Sequence, residues 1–394
     1  NFDMSGVLND DSMFENCPAG EIQFPDGDRP ALQRGDEGER VHFLQVELVE
    51  RNFLYAAADG IYGAKTEQAV SALQEMAGLP QPQTPGCCPR ILTTPRYSAY
   101  LRIADGCDNR CAYCAIPLIR GPRKSVPMED VLAEARRLAE GGVVELTVIA
   151  QDTSAYGSDL YGKPMLRELL LELCKVPGLH WIRVLYTYPN TVDEALIDAL
   201  VREPKLVPYL DMPIQHIAPD ILRRMNRHGT AEHIREMADY ARKASPDFIL
   251  RTTVITGFPG ETEEEFDQLA EFLQTHPFDR LGAFAYSQEE GTPAAQMPDQ
   301  VPDDIKAKRL DRIMTAQQAI SLVCNQIRVG RTYEVLVDGV QGDLCLGRSY
   351  GEAPEVDGCI RFYYQGPAPK PGTFVQVRIN QAGPYDLWGE MVIQ

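Results

Sequence analysis

The sequence predicts an α/β protein built around a partial (βα)6, TIM-like barrel, with a C-terminal all-β barrel and a small N-terminal helical module. Three observations carry this. From residue 97 onward, short β-rich runs alternate with amphipathic stretches, the pattern of parallel strands joined by right-handed helical crossovers. Residues 331–394 are rich in Val, Tyr and Gly and carry turn signals at Asp338-Gly339 and Asp357-Gly358, as a small β-barrel requires. Upstream, Val41, Leu44 and Leu48 share one helical face and Val70, Leu73 and Ala77 another, on either side of the turn Asp59-Gly60-Ile61-Tyr62-Gly63.

In chain order, residues 1–40 hold ten acidic residues against three arginines and read as a poorly ordered acidic arm. Residues 41–80 form the helical module. Residues 81–96, rich in proline and carrying Cys87-Cys88, read as a linker. The barrel occupies 97–330, with strands expected at 99–104, 145–150, 181–186, 209–212, 249–255 and 281–285. Between them, helices are expected at 128–140, 165–175, 193–202, 231–243 and 263–274, followed by one long helix over 303–328.

Bulk properties narrow the function. At 394 residues and 44% hydrophobic, the chain can build more than one core. A net charge of −19 repels nucleic-acid phosphate unless a local basic patch intervenes. No apolar run is long enough to span a membrane, and Asn1-Phe2-Asp3-Met4 shows no secretory pattern, so a cytoplasmic protein is expected. The first residue is not Met, which points to a processed or truncated start. Ten cysteines are too few for a disulfide scaffold at this length.

Three of those cysteines carry the chemistry. Cys107-x3-Cys111-x2-Cys114 follows the first expected strand, in a loop with Gly106, Asp108 and Asn109. Three thiolates from one loop can hold three irons of a cubane and leave the fourth open to a ligand. A closed zinc site would need a fourth Cys or His, and none lies at zinc-finger distance. The loop also falls at a strand's C-terminal end, where βα barrels place their active sites.

The segment Ala104-Asp105-Gly106-Cys107-Asp108-Asn109-Arg110-Cys111-Ala112-Tyr113-Cys114-Ala115-Ile116-Pro117 resembles the radical S-adenosylmethionine (SAM) methylthiotransferase family. The likeness continues through Ala150-Gln151-Asp152-Thr153, Tyr186-Thr187-Tyr188-Pro189, Asp211-Met212-Pro213-Ile214-Gln215-His216, Met225-Asn226-Arg227, Gly257-Phe258-Pro259-Gly260-Glu261-Thr262 and Tyr286-Ser287-Gln288-Glu289-Glu290-Gly291-Thr292. It covers about three quarters of the chain, from roughly residue 89 to the end, and residues 331–394 are similar to the family's TRAM barrel. The resemblance implies a [4Fe-4S] cluster on Cys107, Cys111 and Cys114, SAM bound to its open iron, and a 5′-deoxyadenosyl radical made by reductive cleavage of SAM. It also implies an electron donor such as a flavodoxin or ferredoxin. By position, Gln151, Gln215 and Arg251 are candidates to contact SAM, although each could equally cap a strand or close an ion pair. Gly257-Phe258-Pro259-Gly260 could approach a ligand or simply turn the chain into the next helix, and His216 reads as structural.

The family acts either on an aspartate β-carbon of ribosomal protein S12 or on a tRNA adenosine. Residues 331–394 carry five Lys/Arg against eight Asp/Glu. A tRNA-gripping module should be basic, whereas an acidic one suits a basic protein, so the charge favours S12. The family's usual N-terminal domain, whose three cysteines hold a second [4Fe-4S] cluster that delivers sulfur, is not recognisable. Cys17, Cys87 and Cys88 are the cysteines before Cys107, and they read as unligated thiols. Sulfur transfer thus stands open, and an iron–sulfur protein that cleaves SAM or binds a partner without it is the third reading. Residues 41–80 resemble a peptidoglycan-binding-like module through Leu44-Gln45, Phe53-Leu54, Lys65-Thr66-Glu67-Gln68-Ala69-Val70 and Leu73-Gln74. Such a module could be repurposed for binding protein, fused naturally, or joined by artefact.

Overall fold

The computed structural model describes residues 37–50, 61, 66, 70 and 94–392. Two compact units divide the chain, Asn1–Ile91 and Leu92–Gln394. In the first, α1 (Glu39–Glu50) buries Val41, Leu44 and Leu48, the stripe that the spacing predicts. The buried Gln45 side chain donates to the Ile61 carbonyl at 3.0 Å and to Thr66 Oγ1 at 2.9 Å, tying the helix to residues further along. The expected acidic arm up to residue 36, the linker over 81–93, and Cys17, Cys87 and Cys88 lie outside the described residues.

The second unit begins with β1 (Ser98–Arg102), then β2 (Ala104–Asp105), α2 (Ile116–Arg120) and β3 (Lys124–Ser125). It continues through α3 (Met128–Glu140), β4 (Glu145–Ile149), α4 (Ser158–Tyr161), α5 (Leu166–Cys174), β5 (Trp181–Val184), α6 (Glu194–Arg202) and β6 (Tyr209–Asp211). After α7 (Pro219–Arg224) and α8 (Ala231–Ala244) come β7 (Ile249–Thr256), α9 (Glu263–Thr275), β8 (Arg280–Ala285) and α10 (Asp303–Gln326). Strands pair in parallel in the orders β1-β4-β5 and β6-β7-β8. A parallel bridge between Ile182 and Leu206 joins the two sets into one arc of strands. The result is the partial (βα)6 barrel that the alternating pattern predicts.

The expected strands and long helices are found, with ends shifted by a residue or two. α2, α4 and α7 were not predicted, since four to six residues are too few to display a helical period. Helix starts follow local chemistry. Asp193 and Thr230 accept from the backbone amides of Leu196 and His233. Thr262 and Glu265 form a reciprocal capping box at the start of α9. The core between sheet and helices is apolar on both sides: Leu146, Val148, Ile182 and Leu250 from strands meet Leu169, Leu173, Ile197 and Phe266 from helices.

The C-terminal strands β9 (Thr332–Gln341), β10 (Leu344–Arg348), β11 (Ile360–Tyr363), β12 (Phe374–Ala382) and β13 (Leu387–Met391) close in the order β10-β11-β13-β12-β9. Val335, Val337, Phe362, Val377 and Ile379 fill this barrel. Gly347 and Gly389 are required where strands cross closely: a Cβ there would lie 2.5 Å from the carbonyl oxygens of Leu336 and Arg378.

This small barrel seats against the N-terminal ends of the parallel strands. Glu145, the first residue of β4, accepts from Arg348 at 2.8 and 2.7 Å, with both side chains buried. Trp181, the first of β5, packs edge-on against Phe374 at 4.9 Å. Tyr209, the first of β6, donates to Asp357 at 2.7 Å, and Arg280, the first of β8, pairs with Glu352 at 3.2 Å. Arg348 and Arg183 hold the Glu145 carboxyl below the usual range despite the opposing effect of burial.

That seating corrects the charge argument for the substrate. Glu352 pairs with Arg280 and Arg328, Asp338 with Arg348, Asp386 with Arg361, Glu334 with His180, and Asp357 with Arg251 and Tyr209. Of the eight acidic residues in 331–394, Asp343, Glu355 and Glu390 are exposed. Most of the excess negative charge serves the junction, so the sign of the module does not discriminate between a protein and an RNA substrate.

Candidate functional site

At the opposite, C-terminal end of the strands lies a cavity of about 430 Å³. Its lining comes from the loop after β1 (Cys107, Asn109, Cys111, Tyr113, Cys114), from Gln151 after β4, and from Tyr186, Thr187 and Tyr188 after β5. Pro213, Gln215 and Arg227, after β6, and Thr253 of β7 complete most of the wall. The structure therefore brings the three predicted cysteines together with Gln151 and Gln215. It does not bring Arg251 there. That guanidinium is 2.7 Å from Asp211 Oδ1 and 3.8 Å from Asp357, so it closes ion pairs on the side of the strands nearer the small barrel.

The cysteine loop is held from several sides. Gly106 has φ +72°, and a Cβ there would overlap the Pro122 carbonyl oxygen and come 2.7 Å from that of Gly121. The Cys107 amide donates to the Gly121 carbonyl at 3.2 Å, and the Ala112 amide to that of Met225 at 2.8 Å. The Ala112 carbonyl in turn accepts from Ala294 at 2.9 Å. Asn109 Nδ2 donates to Asp152 at 2.8 Å, and Arg123 reaches the same carboxylate at 3.3 Å. Asp152 also accepts from Ser154 Oγ at 2.7 Å, which fixes the strand end beside the loop.

Backbone strain gathers here too. Arg110, Tyr186, Gln215 and Asn226 are non-glycine residues at positive φ, and all four lie on or beside the cavity. Such conformations persist where surrounding contacts over-determine them, as binding sites require. Asn226 Nδ2 donates to the Arg110 carbonyl at 2.8 Å, pinning two of these residues to each other.

The residues fit a three-thiol cluster and a polar ligand beside it. Cys107 and Cys114 are partly exposed to the cavity and Cys111 is buried against it; burial pushes the thiols of Cys107 and Cys114 above their ordinary range. Among the described residues, no three His, Cys, Asp or Glu side chains converge on a point as a single ion would demand. A cubane takes each of three thiolates on a separate iron, which the three cysteines lining this cavity can supply. Gln151 Oε1 and Gln215 Oε1 are buried and have no hydrogen-bond partner. Unsatisfied buried acceptors lining a cavity fit a ligand that brings donors, such as the amino group of an amino-acid moiety.

Comparison with known proteins now adds to the geometry. Residues 101–273 match the Radical SAM superfamily, 329–392 the TRAM domain, and 37–82 a putative peptidoglycan binding domain. The chain is 47% identical over 307 residues to the ribosomal protein uS12 methylthiotransferase RimO of Clostridioides difficile, covering 78% of this chain and 69% of that protein. It is 49% identical over 308 residues to RimO of Pelotomaculum thermopropionicum, covering 77% and 69%.

The chain belongs to the RimO family.

RimO of Symbiobacterium thermophilum is 51% identical over 305 residues, covering 76% of this chain and 63% of that one. Among solved structures, coproporphyrinogen III oxidase (HemN) from Escherichia coli is similar at 16% identity and a TM-score of 0.43, covering 64% of this chain and 66% of that one. RimO membership makes this a radical SAM methylthiotransferase with a TRAM domain. No described helix is long and apolar enough to cross a membrane.

Several site residues were not singled out from the sequence. Asn109, Asp152, Tyr188 and Arg227 lie within the family-like motifs, but nothing local in the sequence marks a role for them. Arg227 is 116 residues from Cys111 in sequence, and its Nη1 is 3.8 Å from the Cys111 sulfur. No periodicity or spacing could have paired them.

His216 is fully buried and its Nδ1 accepts from the Ala218 amide at 3.0 Å. Burial, aided by Arg309, lowers its pKa to about 3, which keeps the ring neutral. It braces the turn after β6, in keeping with a structural role.

Proposed function

We propose that this chain adds a methylthio group to the β-carbon of an aspartate in ribosomal protein S12, using a [4Fe-4S] cluster on Cys107, Cys111 and Cys114. One observation carries the reading: Cys107, Cys111, Cys114, Gln151 and Gln215 line one cavity, in a chain whose RimO relatives are named ribosomal protein uS12 methylthiotransferases. With both bound, the cluster and SAM supply a reductively generated radical that removes hydrogen from an unactivated carbon.

The protein's own part is positioning and exclusion of water. Gly106 and the amide bonds around it hold the thiols at the strand ends. Gln151 and Gln215 offer acceptors to SAM, while Tyr186 and Tyr188 wall the cavity from the β5 side. Arg251 is left out of this role, since it is not among the residues lining the cavity and pairs with Asp211 and Asp357. An external one-electron donor of the flavodoxin or ferredoxin kind completes the set, and the cytoplasm is where such donors and ribosomal proteins meet.

The test is mass spectrometry of an S12 peptide incubated anaerobically with the reconstituted chain, SAM and reductant. Gain of one methylthio group on the aspartate is expected. Formation of 5′-deoxyadenosine without that gain would confine the chain to SAM cleavage and overturn the transfer step.

A further inference from the structure

We propose that Arg227 is a positioning residue that raises the reduction potential of the cluster by fixing a positive charge against the Cys111 sulfur; this rests on the cluster reading above. Arg227 is the one charged side chain among the residues lining the cavity. Its Nη1 is 3.8 Å from Cys111 Sγ, its Nη2 donates to the Pro213 carbonyl, and its guanidinium lies 4.0 Å from the centroid of the Tyr188 ring. Tyr188 is in turn fixed by the His228 amide, which donates to its hydroxyl at 2.8 Å.

Among the described residues no carboxylate pairs with Arg227, whereas Arg183, Arg251, Arg280, Arg309, Arg328 and Arg348 all face one. A half-buried cation without a counter-ion is costly. A thiolate-ligated cluster supplies the missing negative charge. Accepting one electron from the external donor makes that cluster more negative by one charge, and breaks and forms no bond. A fixed cation at hydrogen-bond range from a ligating sulfur stabilises the reduced form more than the oxidised one, because the low local dielectric strengthens the added attraction. The neutral stack on Tyr188 and the neutral Pro213 carbonyl orient the guanidinium without cancelling its charge.

The experiment is an EPR-monitored potentiometric titration of the anaerobically reconstituted full chain, comparing wild type with Arg227→Met and Arg227→Lys, alongside iron per chain. The expected result is a lower midpoint for Arg227→Met by at least tenfold in the reduction equilibrium, about 59 mV for a one-electron couple, with Arg227→Lys much nearer to wild type. An unchanged midpoint in Arg227→Met at full iron content overturns the proposal. So does a lysine variant that falls as far as the methionine variant, since the charge would then not be the cause. If Arg227→Met retains no iron, Arg227→Gln against Arg227→Lys makes the same comparison. A wild-type chain that takes up no iron sinks the cluster reading itself, a distinct outcome.

Discussion

Cys111 shows how a single residue binds sequence pattern to tertiary placement. Its spacing from Cys107 and Cys114 is written in the chain, but its flanking residues are held by distant groups: the Asn226 side chain donates to the Arg110 carbonyl, the Met225 carbonyl accepts from the Ala112 amide, and the Ala294 amide donates to the Ala112 carbonyl. A Cys111→Ala variant should lose the cluster, read as iron per chain falling to background and 5′-deoxyadenosine no longer forming. Gly106 offers a second test at this scale. Alanine there must hold a strained φ and push against two carbonyls, so Gly106→Ala should cost about 1–3 kcal/mol. Urea denaturation checks the stability, and a parallel loss of iron uptake would tie that strain to the loop. His216 adds a pH dependence. With its folded pKa near 3, it takes up a proton on unfolding once the pH drops below about 6.5. Its contribution to stability is complete above pH 6.5 and shrinks as pH falls toward 3, whereas His216→Gln should remove that segment of the melting-temperature profile.

Among the elements, those with long periodic patterns were legible and the short ones were not. α3 and α8 carry a clear apolar stripe, and their buried residues recur at helical spacing. α2, by contrast, buries none of its residues and follows directly from the cysteine loop, so its place depends on the site and not on its own pattern. α9 begins at a cap that sequence chemistry alone explains. Thr262→Ala should destabilise the chain by about 1 kcal/mol through loss of the bond to the Glu265 amide. Thr262→Ser should restore most of it, as a thermal melt would show. Strand ends were also close to their expected places, within two residues of where the β-rich runs stop.

The second unit is organised by the two ends of its parallel strands. Chemistry gathers where the parallel strands finish, and the TRAM barrel closes the end where they start. Removing one side of a buried ion pair leaves the other charge without a partner. Arg348→Met should therefore cost about 3–5 kcal/mol while leaving the cavity residues untouched. Iron content per folded chain should stay constant as the melting temperature drops. Glu352 gives the junction its acid sensitivity. Burial opposes its ionisation, but Arg328 and Arg280 outweigh that and hold its carboxyl at about 2, below the ordinary 4.5. The stabilisation is present above pH 4.5 and is lost as pH falls from there through 2, so wild type should unfold at a higher pH than Glu352→Gln on acidification, once compared at equal stability at neutral pH.

The sequence by itself determined the alternation that makes a parallel barrel, the turn-rich strands of the TRAM domain and the three-cysteine loop, because each depends on residues close together in the chain. It also carried the family likeness, which is written in contiguous motifs. Only the tertiary structure decided which distant side chains meet. It joined Arg227 to Cys111, placed Gln151 and Gln215 in the cavity and withheld Arg251, and paired Asp338, Glu352, Asp357 and Asp386 of the TRAM domain with arginines. Those outcomes depend on where strands end in space and on which charges burial forces into pairs, and neither is a local property of the chain.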